Sequence, residues 1–181
     1  MRHRIFTKNN YIKIAFIHLL REIFPKTHAC IVDIDSYTSL SELLDEIDGI
    51  ELKANQYIYI LKGINVHSKV LSPLATFGRD DNLIDIIHLL KTGQPIDWSD
   101  LKQHLIMMSE LSVLSRKDKE IAWSVAQHSD VSSVAKLANV NNKTIYSRIA
   151  IIARKLNLRH LNEVRTFVAR EGANKYPPQR K

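Results

Sequence analysis

Apolar positions recur along this chain in two rhythms, and the change from one to the other divides it. Over residues 1–93, short continuous apolar runs alternate with stretches of helical spacing. RHRIF, residues 2–6, suits a short strand. Asn9 or Asn10 then caps a helix reaching about Phe24, with Ile12, Ala15, Phe16, Leu19 and Leu20 on its buried stripe and Pro25 as its stop. HACIVDID, His28 to Asp35, is an unbroken apolar run with polar ends, as expected of a strand covered on both faces. Ser39 or Ser41 caps the acidic helix SELLDEID, which Gly49 closes. Gln56 to Leu61 reads as a third strand, Val66 to Leu71 as one helical turn, and Ala75 to Phe77 as a short fourth strand. Asp80 is expected to cap DNLIDIIHLLKT, with Leu83, Ile86, Ile87 and Leu90 inward and Gly93 at its end. The alternation implies a small parallel sheet with flanking helices on both faces.

From residue 94 onward the spacing is helical throughout. GQPIDW carries the Gly and Pro of a boundary, and residues 94–110 form a linker in which Asp100 to Met108 make a connecting helix with Leu101, Leu105 and Met108 on one side. Ser115 and Asp118 form an approximate capping box for a helix that turns Ile121, Ala122, Val125 and Ala126 inward. Asp130 caps a short helix with Val134, Ala135 and Ala138 on one face. After a turn at Asn139 to Asn141, Asn141 caps the next helix, where Ile145, Ile149, Ile152 and Leu156 form one buried stripe. A last helix spans about Leu161 to Arg170, and residues 171–181 are expected to be a disordered basic tail.

The helix after Asn141 leaves Lys143, Tyr146, Ser147, Arg148, Arg154 and Lys155 on its other faces, a basic surface with hydrogen-bonding side chains near its start. That suits entry into the major groove of DNA. The same pattern also fits an ordinary amphipathic core helix with a solvated basic face.

Charge narrows the choice. Residues 1–110 carry 12 Lys+Arg against 14 Asp+Glu, and residues 111–181 carry 14 against 5, so the parts stand at −2 and +9. Only the second part is built to meet a polyanion; RNA or an acidic membrane surface would satisfy the charge equally. No run of about 18 apolar residues and no signal-peptide pattern occurs, which places the expected chain in the cytoplasm, on the nucleoid, and not in a membrane. Cys30 is the single cysteine and reads as a buried apolar residue. Eight histidines are scattered without ligand spacing, and no phosphate loop or nucleophile–base pair is visible, so neither a cofactor, a metal site nor an enzyme activity is expected.

The order LSRKDKEI, VAKLANVNNKTI, IARKLNL and NEV resembles the C-terminal domain of the LuxR/FixJ (NarL-type) family of bacterial transcriptional regulators, over residues 111–170. Leu114, Ser115, Asp118, Glu120 and Ile121 match its opening helix, Val134 and Ala135 its scaffold helix, and Val140, Thr144, Ile145, Ile152, Lys155, Leu156, Leu158, Glu163 and Val164 the remainder. The resemblance implies an all-α four-helix helix-turn-helix domain that binds double-stranded promoter DNA. Tyr146 and Ser147 would then lie at base edges, with Ala150 or Ile151 near a methyl group, and Lys143, Thr144, Arg148, Arg154 and Lys155 on phosphates. Arg148 and Lys155 can alternatively form structural ion pairs. Val164, Phe167 and Val168 are implied dimer contacts or, equally, monomer core. Where the family has Lys and His, this chain has Tyr146 and Arg148; Asn141 replaces Ser as a cap. His128 replaces Gly, which would strain a turn, and Leu161 replaces Arg, which removes an ion pair.

Residues 1–93 are similar to a shortened, degenerate receiver domain of a response regulator. HACIVDID stands in the place of the phosphoacceptor strand, but Thr7, Lys8 and Asn9 stand where an acidic pair would hold Mg²⁺. No lysine aligns near Phe77 to Arg79, and about one helix–strand unit is missing. The implied function is a phosphorylation-independent transcriptional regulator acting as a dimer, with RNA polymerase as a further partner. A second reading is an auxiliary protein that heterodimerises with a related regulator. A third, an autoinducer receptor, meets a first domain short for enclosing a ligand.

Overall fold

The computed structural model describes residues 3–48 and 57–175. The first domain runs β1 (Arg4–Phe6), α1 (Asn10–Ile23), β2 (Ala29–Asp33), α2 (Leu40–Asp48), β3 (Tyr57–Lys62), α3 (Val66–Val70), β4 (Phe77–Gly78) and α4 (Leu83–Thr92). Its parallel sheet has the order β1-β2-β3-β4, with Arg4 opposite Cys30, Ile31 opposite Tyr59 and Leu61 opposite Phe77. Because successive strand residues point to opposite faces, the unbroken apolar runs serve two cores. Phe6, Cys30, Val32, Ile58 and Ile60 face α2 and α3. Ile5, Ala29, Ile31, Tyr59, Leu61 and Phe77 face α1 and α4. Burial pushes the Cys30 thiol up to about 12, so this cysteine is an apolar core residue.

α1 joins β1 to β2 on one face of the sheet, whereas α2 and α3 make the next two connections, in the same direction, on the other. The first connection therefore has the opposite hand to the other two, a mixture made rare by the strong preference for right-handed crossovers. A strand placed outside β1, with a helix returning over the opposite face, would restore one hand throughout. That is the helix–strand unit the sequence lacks.

Capping explains the helix starts. Asn9 Oδ1 accepts the N–H groups of Tyr11 and Ile12, and Ser39 Oγ accepts that of Glu42. The cap of α4 is Asn82 and not Asp80: Asn82 Oδ1 accepts the Asp85 N–H, while the neighbouring Asp81 binds the Gly78 N–H. Leu83 and Ile84 face outward, Leu90 is buried, and Ile86 packs half-buried against the same core. Ala15 is likewise exposed on α1. The expected stop at Gly49 lies outside the described residues.

α5 (Trp98–Ser109) is no loose linker. Ile96 forms an antiparallel bridge to Ile58, and Leu101, Leu105 and Met108 are buried with α2 in the same core as the sheet. The second domain comprises α6 (Arg116–Gln127), α7 (Val131–Leu137), α8 (Asn142–Lys155) and α9 (Leu161–Lys175). Helix α9 runs past Arg170, so the expected tail begins too early: Glu171 and Gly172 are helical and buried. Residues 176–181 of that tail lie outside the described residues.

One apolar core crosses both domains, joining Val32, Leu43, Val70 and Leu105 to Ala122, Ile152, Leu156, Val164, Phe167 and Val168. Polar contacts close the seam. The fully buried Glu171 carboxylate accepts the Leu40 N–H at 2.6 Å and the Ser41 N–H and hydroxyl at 3.2 and 3.0 Å, capping α2 from the far end of the chain. Lys69 Nζ meets Glu163 at 2.6 Å, Asn157 donates to the Val70 carbonyl, and the His67 ring packs on Phe167. Between α5 and α6, the buried Leu111 adopts φ 56°, a left-handed conformation costly for a side chain with a Cβ.

Candidate nucleic-acid interface

α7 and α8 owe their placement to a small core of Val125, Val131, Val134, Ala135, Ile145 and Ile149. Asp130 caps α7 through the Ser133 N–H and hydroxyl. Asn139, in the turn, takes φ 50°, which asparagine tolerates. Asn141 Oδ1 then accepts both the Thr144 N–H at 2.7 Å and its hydroxyl at 2.8 Å, starting α8. His128 is extended at φ −107°, so the residue in place of glycine strains nothing. The Arg165 guanidinium binds the carbonyls of Val125, His128 and Ser129 beside it. Leu161, in place of arginine, packs against the core of α7 and α8.

With Ile145, Ile149, Ile152, Ala153 and Leu156 buried, helical periodicity divides the rest of α8 into three strips. Lys143, Ser147, Ala150 and Arg154 point straight outward and are exposed, with Ile151 half-buried at their border. Asn142 and Tyr146 lie on the α7 side, Tyr146 being exposed. Thr144, Arg148 and Lys155 lie on the α6 side, also exposed. There the buried Asp118 carboxylate collects the Ser115 hydroxyl at 2.8 Å, Arg148 Nη1 at 3.3 Å and Lys155 Nζ at 3.8 Å. The two cations expected on phosphates are thus tied into an internal network. Among the described residues, Lys143 and Arg154 form no ion pair.

Val164, Phe167 and Val168 are completely buried inside the monomer. Docking of α9 against α6, α2 and α3 removes these side chains from any two-fold surface in this conformation. Of the two readings of these residues, dimer contact and monomer core, their burial is that of core residues.

At the C-terminal edge of the sheet, Asp33 is fully buried and accepts three bonds of 2.6 Å, from the Thr7 hydroxyl, the Ser36 hydroxyl and Arg79 Nη2. Asp35 accepts the Ile64 and Asn65 N–H groups and the Ser68 hydroxyl. That approach needs Gly63, since a Cβ there would lie 1.8 Å from an Asp35 oxygen. Lys8 pairs with Glu42. Arg79 supplies the cation here, where no lysine aligns. Its position directly after the last strand, at the edge where β2 also ends, was the available signal.

No protein-family description and no curated protein matches the sequence. Solved structures do. A DNA complex of the two-component response regulator RcsB aligns with TM-score 0.57 and 18% identity over 94% of this chain and 98% of that one. A structure of two RcsB dimers bound to two parallel DNAs gives 0.59 and 17% over the same shares, 94% and 98%. RcsB of Salmonella enterica serovar Typhimurium, bound to promoter P1flhDC with phosphomimetic BeF₃⁻, gives 0.56 and 16% over 93% and 98%. At these identities the likeness concerns the fold, and the chain has the response-regulator fold of a parallel receiver-type sheet domain followed by a helix-turn-helix domain.

Proposed function

We propose that this protein is a sequence-specific DNA-binding transcriptional regulator that acts as a dimer and needs no phosphorylation. One observation carries the reading: α8 buries its apolar stripe completely, yet presents Lys143, Tyr146, Ser147, Ala150 and Arg154 to solvent while the two domains are docked. A reading helix that stays uncovered in the docked state needs no signal to release it. Tyr146 and Ser147 address base edges, with Ala150 and Ile151 near a thymine methyl, while Lys143, Thr144 and Arg154 hold phosphates. Arg148 and Lys155 reach phosphates from positions braced by Asp118.

Independence from phosphorylation is supported by the Asp33 site. Its carboxylate is neutralised by Arg79, and Thr7 and Lys8 occupy the places a Mg²⁺ ion would need filled by acids. For dimerisation, the adjacent helices α1 and α4 expose Tyr11, Ile14, Leu83 and Ile84, an apolar surface that a second copy would cover. A related regulator could cover the same surface, which keeps the heterodimer reading in play.

Gel-shift titration of the purified protein against duplexes selected from a random pool tests the proposal. Specific binding by the protein alone is expected. Arg154→Ala should weaken all sequences alike and lower the salt slope by about 1, whereas Tyr146→Lys should change base preference. Absence of specific binding without a partner would overturn the homodimer reading in favour of the heterodimer.

A further inference from the structure

Asn142 is the first residue of α8, exposed, and one helical turn before Tyr146 on the strip facing α7. Its backbone N–H is one of the four that a helix start leaves unbonded, and capping falls to Asn141, so the Asn142 side chain is not consumed by the helix. Its Nδ2 donates to Ser132 Oγ at 3.2 Å, a contact from the start of α8 to the start of α7. In this arrangement the amide nitrogen faces Ser132 and the carbonyl oxygen faces the other way. One N–H and the oxygen remain for a ligand.

We propose that Asn142 reads an adenine in each half-site, with Ser132 as its positioning residue. The proposal rests on the DNA-reading assignment of α8. Adenine presents N7 as acceptor and the N6 amino group as donor side by side in the major groove, the complement of an asparagine amide that offers N–H and C=O side by side. The other bases do not match this pair: guanine offers two acceptors there, and cytosine offers no ring-nitrogen acceptor beside its amino group. The bond to Ser132 holds the side chain in place before DNA arrives, so less freezing of a mobile side chain is left to the binding step. Asn142 and Tyr146 share one strip of α8, one helical turn apart, so the two side chains would address neighbouring base pairs.

The test is selection of bound duplexes from a random pool by the full chain, followed by sequencing. The wild type should enrich a half-site containing one adenine whose frequency becomes nearly equal among the four bases in Asn142→Ala, with the other enriched positions and the salt slope unchanged. Replacing that adenine by 7-deazaadenine should weaken the wild type roughly tenfold and leave Asn142→Ala unaffected. Ser132→Ala should lose part of the adenine preference, and Ser132→Thr, which restores the hydroxyl, should recover it. An adenine preference that survives Asn142→Ala, or an equal 7-deazaadenine penalty in both proteins, overturns this proposal alone. A wild type that enriches no sequence overturns the DNA-reading assignment and this proposal with it.

Discussion

The two domains spend their charged side chains in opposite ways. At the edge of the sheet, the buried Asp33 and the half-buried Asp35 take three bonds each from hydroxyls, backbone N–H groups and Arg79. On α8, Lys143 and Arg154 are turned outward and form no ion pair among the described residues. A buried carboxylate must be matched by donors or it unfolds its surroundings. An exposed cation costs the fold almost nothing and stays available for phosphate. Charged groups thus mark structure at the sheet edge and recognition on the outward strip of α8, and the bonds they make within the chain are what separate them.

The largest expected effect comes from the core that the two regions share. Phe167→Ala should cost about 3–5 kcal/mol, and urea unfolding followed by circular dichroism should show sheet and helices lost in one transition. A variant of normal stability with a weakened dimer would instead mean that Phe167 leaves the monomer core for a two-fold contact.

Next comes the charge contrast itself. Arg79→Ala strips the cation from buried Asp33 and should destabilise by about 2 kcal/mol, less than a fully buried pair because Arg79 is one-third exposed. Arg154→Ala should change stability by under about 0.5 kcal/mol. Equal losses in denaturation would erase the distinction between the domains. With acetyl phosphate and Mg²⁺, intact-mass spectrometry should detect no aspartyl phosphate; stoichiometric modification would show that Asp33 is available after all.

The smallest effect is in acid. Burial works against ionisation of Glu42, but Lys8 and the N–H and hydroxyl of Thr38 outweigh it and hold the carboxyl at about 2. Burial likewise opposes ionisation of Glu163, which Lys69 and the Arg159 N–H hold below its usual range. Folded-state values below the unfolded 4.5 mean that these groups stabilise fully above about pH 4.5 and lose that contribution as pH falls toward 2. Urea midpoints should therefore drop across this window, less steeply in Glu42→Gln. Identical slopes would remove Glu42 from the account.

Local chemistry was readable in advance. Asn9, Ser115, Asp130 and Asn141 cap the helices their side chains announced, and the stripe from Ile145 to Leu156 is buried as its spacing required. What escaped was long-range. Periodicity marks Val164, Phe167 and Val168 as covered but does not say by what, and the cover proves to be this chain. Gly172 does not stop α9, and no local pattern tells that Glu171 answers Leu40 and Ser41. For the candidate interface, spacing distinguished the outward face of α8 but not the α6-side flank that Asp118 occupies, nor the bond from Asn142 to Ser132.

Glu171 also constrains the order in which the protein can be made. A ribosome releases the start of α2 long before it reaches the residue that completes the cap, 131 positions later. Until then, the Leu40 and Ser41 N–H groups must be served by water, and the apolar side of α2 waits for α9. Contacts so distant in sequence slow folding because their loops must close first. The first domain is therefore expected to emerge with an unfinished seam, completed only once α9 has been synthesised.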